Sequence, residues 1–222
     1  MKKNYIVLGI GRFGFSVART LYEMGHDVIA VDSDEELVEA ISPFVTRAVQ
    51  IDATDESSLK SLGISNMDAA IVAMGDDIKA SILIALLCKE LGAAMVIAKA
   101  QDALHGKVLS KMGVDRVVYP EREMGIRVAQ SLASSNILEC IDLSDEYSIA
   151  EIEVLKDWDS RSLKDLDLRK NYGINVMAIK SVDGGLNISP LGEDIIRHKD
   201  ILVVIGSLDD LQNLEHAAKR RK

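Results

Sequence analysis

Residues 5–32 read YIVLGIGRFGFSVARTLYEMGHDVIAVD, and this stretch decides the fold. An apolar run from Tyr5 to Ile10 meets a turn carrying Gly9, Gly11 and Gly14. A segment with helical spacing (Phe13, Val17, Leu21, Met24) then leads to Gly25 and a second apolar run that ends in Asp32. Strand, glycine turn, helix, strand and terminal carboxylate at this length make a mononucleotide-binding unit. Each part has a physical task. Gly9 permits the tight turn, Gly11 leaves no side chain between backbone and a phosphate, and Gly14 lets helix and strand approach closely. The orphan N–H groups of the helix face the anion, assisted by the helix dipole. The Asp32 carboxylate is placed to accept both hydroxyls of an adenosine ribose, and its charge disfavours a 2'-phosphate there.

Outward from this unit the alternation continues. Residues 47–52 (RAVQID) read as a third strand, followed by a helix (ESSLKSLG) capped by Thr54 or Asp55. AAIVAMG, ending at Gly75, is the fourth strand, and Asp76 or Asp77 caps a long helix from Ile78 to Leu91. MVIAKA (residues 95–100) and RVVYP (116–120) are the fifth and sixth strands, with a helix over 102–113 between them and another from Glu121 to about Ser134. The strands are continuous β-branched runs, as in a parallel sheet covered on both faces. The prediction is an α/β fold whose N-terminal domain, residues 1–135, is a Rossmann-like doubly wound parallel sheet. Residues 136–146 (NILECIDLSDE) fit neither a clean helix nor a central strand and read as a crossover or linker. Residues 147–222 then carry a small C-terminal α/β domain of β-α-β-β-β-α order. Its strands are YSIAEIEV, INVMAIK, GLNIS and ILVVIG, and Ser162 caps a helix LKDLDLRKNYG. A domain of that size is expected to bury a face against a partner.

Composition narrows the function classes. A chain of 222 residues with 48% hydrophobic and 27% charged residues is folded and globular. No apolar run approaches the ~20 residues that span a bilayer, and the basic start runs directly into the first strand, so no signal peptide is expected. A net charge of −9 argues against a nucleic-acid backbone as partner. Cys88 and Cys140 form no CxxC and are expected as free thiols. His26, His105, His198 and His216 are scattered, without metal-ligand spacing. There is no GxSxG and no Walker lysine after the glycines. The second domain is also too short of convergent polar groups for a typical substrate pocket, so an enzyme is not expected.

With GIGRFG, the Asp32 strand end, IDATDESSL, the strand ending AMG and YPEREMG in hand, the chain resembles a known family over essentially its whole length. These are the cytosolic regulatory (RCK/KTN-type) subunits of bacterial Ktr/Trk potassium-uptake systems, and the likeness is to the stand-alone Gram-positive Ktr type. The resemblance implies that Gly9, Gly11, Arg12, Phe13 and Gly14 form a phosphate loop and that Asp32 is the ribose ligand. It places Asp52 and Ala53 near the adenine, sets Ala73, Met74 and Gly75 along the nucleotide, and brings Lys99 and Glu121 toward the phosphates and their cation. ATP and ADP are the implied occupants, with Mg²⁺ or another cation accompanying ATP at Glu121; NAD(H), in a redox-sensing protein, is the alternative. Read from residues alone, Glu121 is either a cation-linked carboxylate or an acid favoured at the start of a helix after Pro120. Arg122 supplies phosphate charge or is a solvated helix arginine.

The resemblance implies a second ligand, cyclic di-AMP, inhibiting uptake. Arg169 would meet its phosphate, Asn175 would hydrogen-bond, Ile174 with Leu163 would pack on adenine, and Pro190 would line the same pocket. Without the resemblance, Arg169 is a basic residue near a helix C-terminus and Ile174 a strand residue. Further implied are a homo-oligomer, an octameric ring of dimers, and a cytoplasmic position beneath a membrane potassium-translocating subunit. Phe13, Ile78, Ile82 and Leu86 are candidate interface positions, which ordinary core packing explains equally well. ATP would favour the conducting state and ADP the less active one.

Overall fold

Both faces of the first strand are dry, and the rest of the N-terminal half is arranged to keep them so. Ile6 and Leu8 pack with Leu59, Ile84 and Leu109 on one side; Val7 and Ile10 pack with Ala18 and Ile41 on the other. The structure, a computed structural model, describes residues 1–75, 77–133, 137–144 and 146–219. It divides into two units, Met1–Arg122 and Glu123–Lys222. Among the described residues no helix is long and apolar enough to cross a membrane.

The first unit runs β1 (Asn4–Leu8), α1 (Arg12–Glu23), β2 (Asp27–Asp32), α2 (Glu35–Ile41), β3 (Arg47–Gln50), α3 (Glu56–Ser61), β4 (Ala69–Val72) and α4 (Ile78–Glu90). It continues through β5 (Val96–Lys99), α5 (Ala103–Lys111) and β6 (Arg116–Val118) into the start of α6 (Pro120–Ala133). The strands pair in parallel in the order β3-β2-β1-β4-β5-β6. This is the doubly wound arrangement, with its order reversing between β1 and β4.

Helix starts are set by acids. Asp34, Asp55, Asp77 and Asp102 accept from the N–H groups of Glu36, Ser58, Ala80 and His105, satisfying donors that a helix cannot satisfy itself. Asp55 rather than Thr54 therefore caps α3, and Asp77 caps α4; Asp76 lies outside the described residues. α1 is different: it begins after Gly11 with no side-chain cap.

The second unit holds β7 (Ile137–Asp142), β8 (Tyr147–Glu153), β9 (Arg161–Ser162), α7 (Leu163–Leu166), α8 (Leu168–Tyr172) and β10 (Asn175–Lys180). β11 (Leu186–Asn187), β12 (Ile195–Ile196), β13 (Ile201–Ser207) and α9 (Leu208–Lys219) follow. Five strands form an antiparallel sheet in the order β11-β10-β13-β8-β7, and β12 pairs with β9. Ala150 and Ile152 of β8 and Leu202 and Val204 of β13 face a core with Trp158, Leu166, Leu168 and Leu211.

Three features differ from the sequence expectation. Residues 137–142, read as crossover, form an edge strand on β8, with Cys140 opposite Ala150 and Ile141 opposite Ile149. An edge strand has one neighbour and needs no continuous apolar run, which is why its pattern was weak. The single helix expected over LKDLDLRKNYG is broken at Asp167, whose φ of 41° lies in the left-handed region. Ser162 still caps the first piece through the Asp165 N–H at 3.1 Å. GLNIS contributes only the short β11, and the β9–β12 ladder, two residues on each strand, was not anticipated. The end of the helix expected to reach Ser134, the crossover's start at Asn136, and the side chains of Cys140 and His216 lie outside what is described.

Candidate functional site

At the C-terminal ends of the parallel strands, where their order reverses, a cavity of about 710 Å³ opens. Ile10, Gly11, Arg12, Phe13, Phe15, Leu37, Ala40, Ala73, Gly75, Lys99 and Glu121 line it. Its floor is the glycine turn. Gly9 has φ +96°, and a Cβ there would lie 2.8 Å from Met74 Cγ, so both its conformation and its neighbour require glycine. A Cβ on Gly14 would overlap the Gly9 carbonyl oxygen. One on Gly11 would meet no protein atom within 4 Å: that position looks into open space, beside the uncapped N–H groups of α1.

Asp32 holds this turn in place. Its Oδ2 accepts the Ile10 N–H at 2.6 Å and its Oδ1 the Asp34 N–H at 3.0 Å. A carboxylate offers about four acceptor sites, so two remain for hydroxyl donors. Asp52 is turned elsewhere. It accepts from the Thr54 N–H (2.8 Å) and hydroxyl (2.6 Å), and these bonds hold its carboxyl below the usual carboxylate range. Ala53 is buried in the core. Neither lines the cavity, and nor do Gly9, Gly14, Asp32 or Met74; Asp32 is joined to the lining through the Ile10 N–H.

The charges converge at the far wall. Lys99 at the end of β5 donates from Nζ to Glu121 Oε1 at 2.5 Å. Lys99 is the enclosed partner, with 15% of its side chain exposed against 65% for Glu121. The Lys99 hydrogen bond, and more weakly the charge of Arg12, hold the Glu121 carboxyl below its ordinary value against a modest opposing effect of burial. The sequence does not show this pairing, because it joins residues 22 apart, Lys99 at the end of β5 and Glu121 at the start of α6, which meet only because β5 and β6 lie side by side. Sequence reasoning also missed Phe15, Leu37 and Ala40; the signal for them was their place on the two helices that follow β1 and β2, Phe15 and Leu37 on the first turns and Ala40 one turn further along α2.

No group of three or more His, Cys, Asp or Glu stands ready for a metal among the described residues. Glu121 alone fits the way Mg²⁺ is ordinarily held beside a nucleotide, by one carboxylate with phosphate oxygens and water completing the shell. His105 does not line the cavity: it is 2% exposed at the start of α5, its Nδ1 accepts the Gln101 N–H at 3.3 Å, and its Nε2 has no hydrogen-bond partner among the described residues.

The second unit has its own cavity, of about 440 Å³, and Leu163, Arg169, Ile174, Asn175 and Pro190 all line it, with Lys164, Asp167, Leu168, Val176, Leu191 and Gly192. Its outer wall is tied to the start of α7. The Gly192 carbonyl accepts the Lys164 N–H and the Asp194 carbonyl the Leu163 N–H. The Asp194 carboxylate, through Oδ2, also takes the Leu191 N–H and the Asn187 amide, each at 2.8 Å. Apolar faces from Leu163, Ile174 and Leu191 beside the positive charge of Arg169 suit an anion that carries flat apolar rings.

Residues 5–120 match the model of the TrkA-N domain and residues 149–219 that of the TrkA-C domain. The chain is 47% identical over 214 residues to the Ktr system potassium uptake protein A of Bacillus subtilis (strain 168), covering 96% of each chain. It is 46% identical over 215 residues to the Ktr system potassium uptake protein C of the same strain, covering 97% of each. Among solved structures, the GsuK channel bound to NAD superposes with a TM-score of 0.68 at 18% identity; the match covers 97% of this chain and 39% of that longer one, and is a likeness of fold.

Proposed function

The chain belongs to the RCK-type family of Ktr/Trk potassium-uptake subunits, and from that premise we propose that it is the nucleotide-gated regulator of a potassium-uptake system. In this reading the cleft takes ATP and ADP, and the protein works at the cytoplasmic face of the membrane on a potassium-translocating partner. The observation that carries it is the convergence of the uncapped α1 N-terminus, Arg12, Lys99 and the Asp32-braced turn on one cavity at the switch point of the sheet. The two Bacillus relatives are potassium uptake proteins of Ktr systems. Regulation then follows from differential binding: a ligand shifts the balance between two states only by as much as it prefers one of them. Mg²⁺ accompanies ATP at Glu121. The second cavity takes cyclic di-AMP as inhibitor, supported by the meeting of the five residues named for it in one pocket. Assembly into a ring of dimers is supported by apolar residues left exposed on α4, Leu83 and Leu86.

Calorimetric titration of the nucleotide-stripped protein with ATP, ADP and NADH, with and without Mg²⁺, tests the proposal. ATP and ADP are expected to bind, with Mg²⁺ strengthening ATP alone. A preference for NADH with no response to the γ-phosphate would overturn it in favour of an NAD(H)-sensing protein. Cyclic di-AMP is expected to bind the native chain and to lose that binding in Arg169→Ala.

A further inference from the structure

Lys99 and Glu121 both line the cleft, yet each occupies the other. The Lys99 ammonium donates to the Glu121 carboxylate, so each group's charge is met by the other at the wall of the cleft. The lysine arm is seated for this. A Cβ on Gly75 would lie 2.9 Å from Lys99 Nζ, 3.2 Å from Cε and 3.7 Å from Cδ. Gly75 has no positive φ, so what its missing side chain provides is room for the flexible end of the lysine arm. The arm lies along that bare backbone, which accounts for the low exposure of Lys99 beside a well-exposed Glu121.

We propose that Lys99 and Glu121 form an exchange pair. Without nucleotide, Lys99 serves Glu121 as its cation; a terminal phosphate binds by drawing Lys99 to itself, and only then is Glu121 left for a divalent ion. The inference rests on the reading of this cleft as a nucleotide site and adds an order of events to it. Glu121 thereby weakens metal-free binding in two ways. It repels the phosphates directly, and it withholds Lys99 from them. The second route needs Lys99, whereas loss of Lys99 leaves Glu121 unneutralised and strengthens the first, so the two routes move a double-mutant cycle in opposite directions: a gain that shrinks without Lys99 marks the exchange, and one that stays equal or grows marks repulsion.

The experiment uses the full chain, stripped of nucleotide, in EDTA, with ATP affinity measured by calorimetry for native protein, Glu121→Gln, Lys99→Met and the double variant. Glu121→Gln is expected to bind metal-free ATP roughly threefold to tenfold more tightly than the native chain. In the Lys99→Met background the same change is expected to gain less than about twofold. Restoring Mg²⁺ should strengthen the native chain and leave Glu121→Gln unmoved. An equal or larger gain in the Lys99→Met background would overturn the exchange and leave direct repulsion. No gain in Glu121→Gln would show that the ion pair does not compete with phosphate. A native chain that binds neither ATP nor ADP, with or without Mg²⁺, would instead remove the nucleotide reading and the exchange with it. If Lys99→Met lowers the thermal transition, Lys99→Gln replaces it, since its shorter neutral arm also fits along Gly75.

Discussion

Asp32 shows how much one carboxylate is asked to do. It closes β2, accepts the Ile10 N–H of the glycine turn and the Asp34 N–H before α2, and keeps two acceptor positions, which the proposed function gives to a ribose. Asp32→Ala leaves both amides without this acceptor and, on that proposal, removes the ribose ligand. It is expected to weaken ATP and ADP alike by roughly ten- to a hundredfold, the value of a charged hydrogen bond; unchanged affinity in calorimetry would show that the ribose does not rest on Asp32. Gly14 carries a purely steric constraint. Gly14→Ala drives a methyl into the Gly9 carbonyl oxygen and is expected to cost about 1–3 kcal/mol in denaturant unfolding. The glycines were legible in the sequence because their spacing between a strand and a helix is written within one short turn, even though Gly9 also meets the distant Met74. Asp52 differs: it lies two residues beyond the end of β3, and the D-A-T triplet turns its carboxylate onto Thr54. The Lys99–Glu121 pair was not legible, since nothing local in either segment names the other.

Among the elements, the central strands and their helices could be read directly, because burial on both faces writes a continuous apolar run into the sequence. β7 and the α7–α8 break could not. The first is a one-sided edge, and the second hangs on a single left-handed aspartate. α5 carries a titratable group whose effect has a definite sign. Burial pushes the His105 imidazole below its ordinary pKa, against a smaller opposing pull from Asp102. The folded chain therefore holds His105 neutral while the unfolded chain takes up a proton first. The contribution to stability is fully present above about 6.5, the ordinary histidine value, and is lost as pH falls from there toward the folded value. Thermal unfolding followed from about pH 8 to pH 5 is expected to show this slope, and His105→Gln to flatten it. An unchanged slope in that variant would assign it to other groups.

At the scale of the molecule, the chain places two ligand cavities in two separate units, and a regulator requires that they be coupled. Cys88 offers a way to measure this from inside the first unit. It is fully buried, and burial pushes its thiol up to about 12, so a thiol reagent at about pH 8 reaches it only through opening of the unit. With Cys140→Ser leaving one thiol, its modification rate reports the stability of the nucleotide-binding unit. ATP at roughly a hundred times its Kd is expected to add about 2.7 kcal/mol and to slow modification correspondingly. Cys88 belongs to the first unit, whereas in the proposed reading cyclic di-AMP takes the cavity of the second. If it inhibits by disfavouring the ATP-bound state, it must weaken ATP by some factor, and ATP must weaken it by the same factor. Protection of Cys88 by a fixed, subsaturating ATP concentration is therefore expected to fall when cyclic di-AMP is added, and to be restored in Arg169→Ala. Identical protection with and without the dinucleotide would mean that the two cavities are thermodynamically independent. Inhibition would then have to act on the membrane partner without passing through the nucleotide cleft.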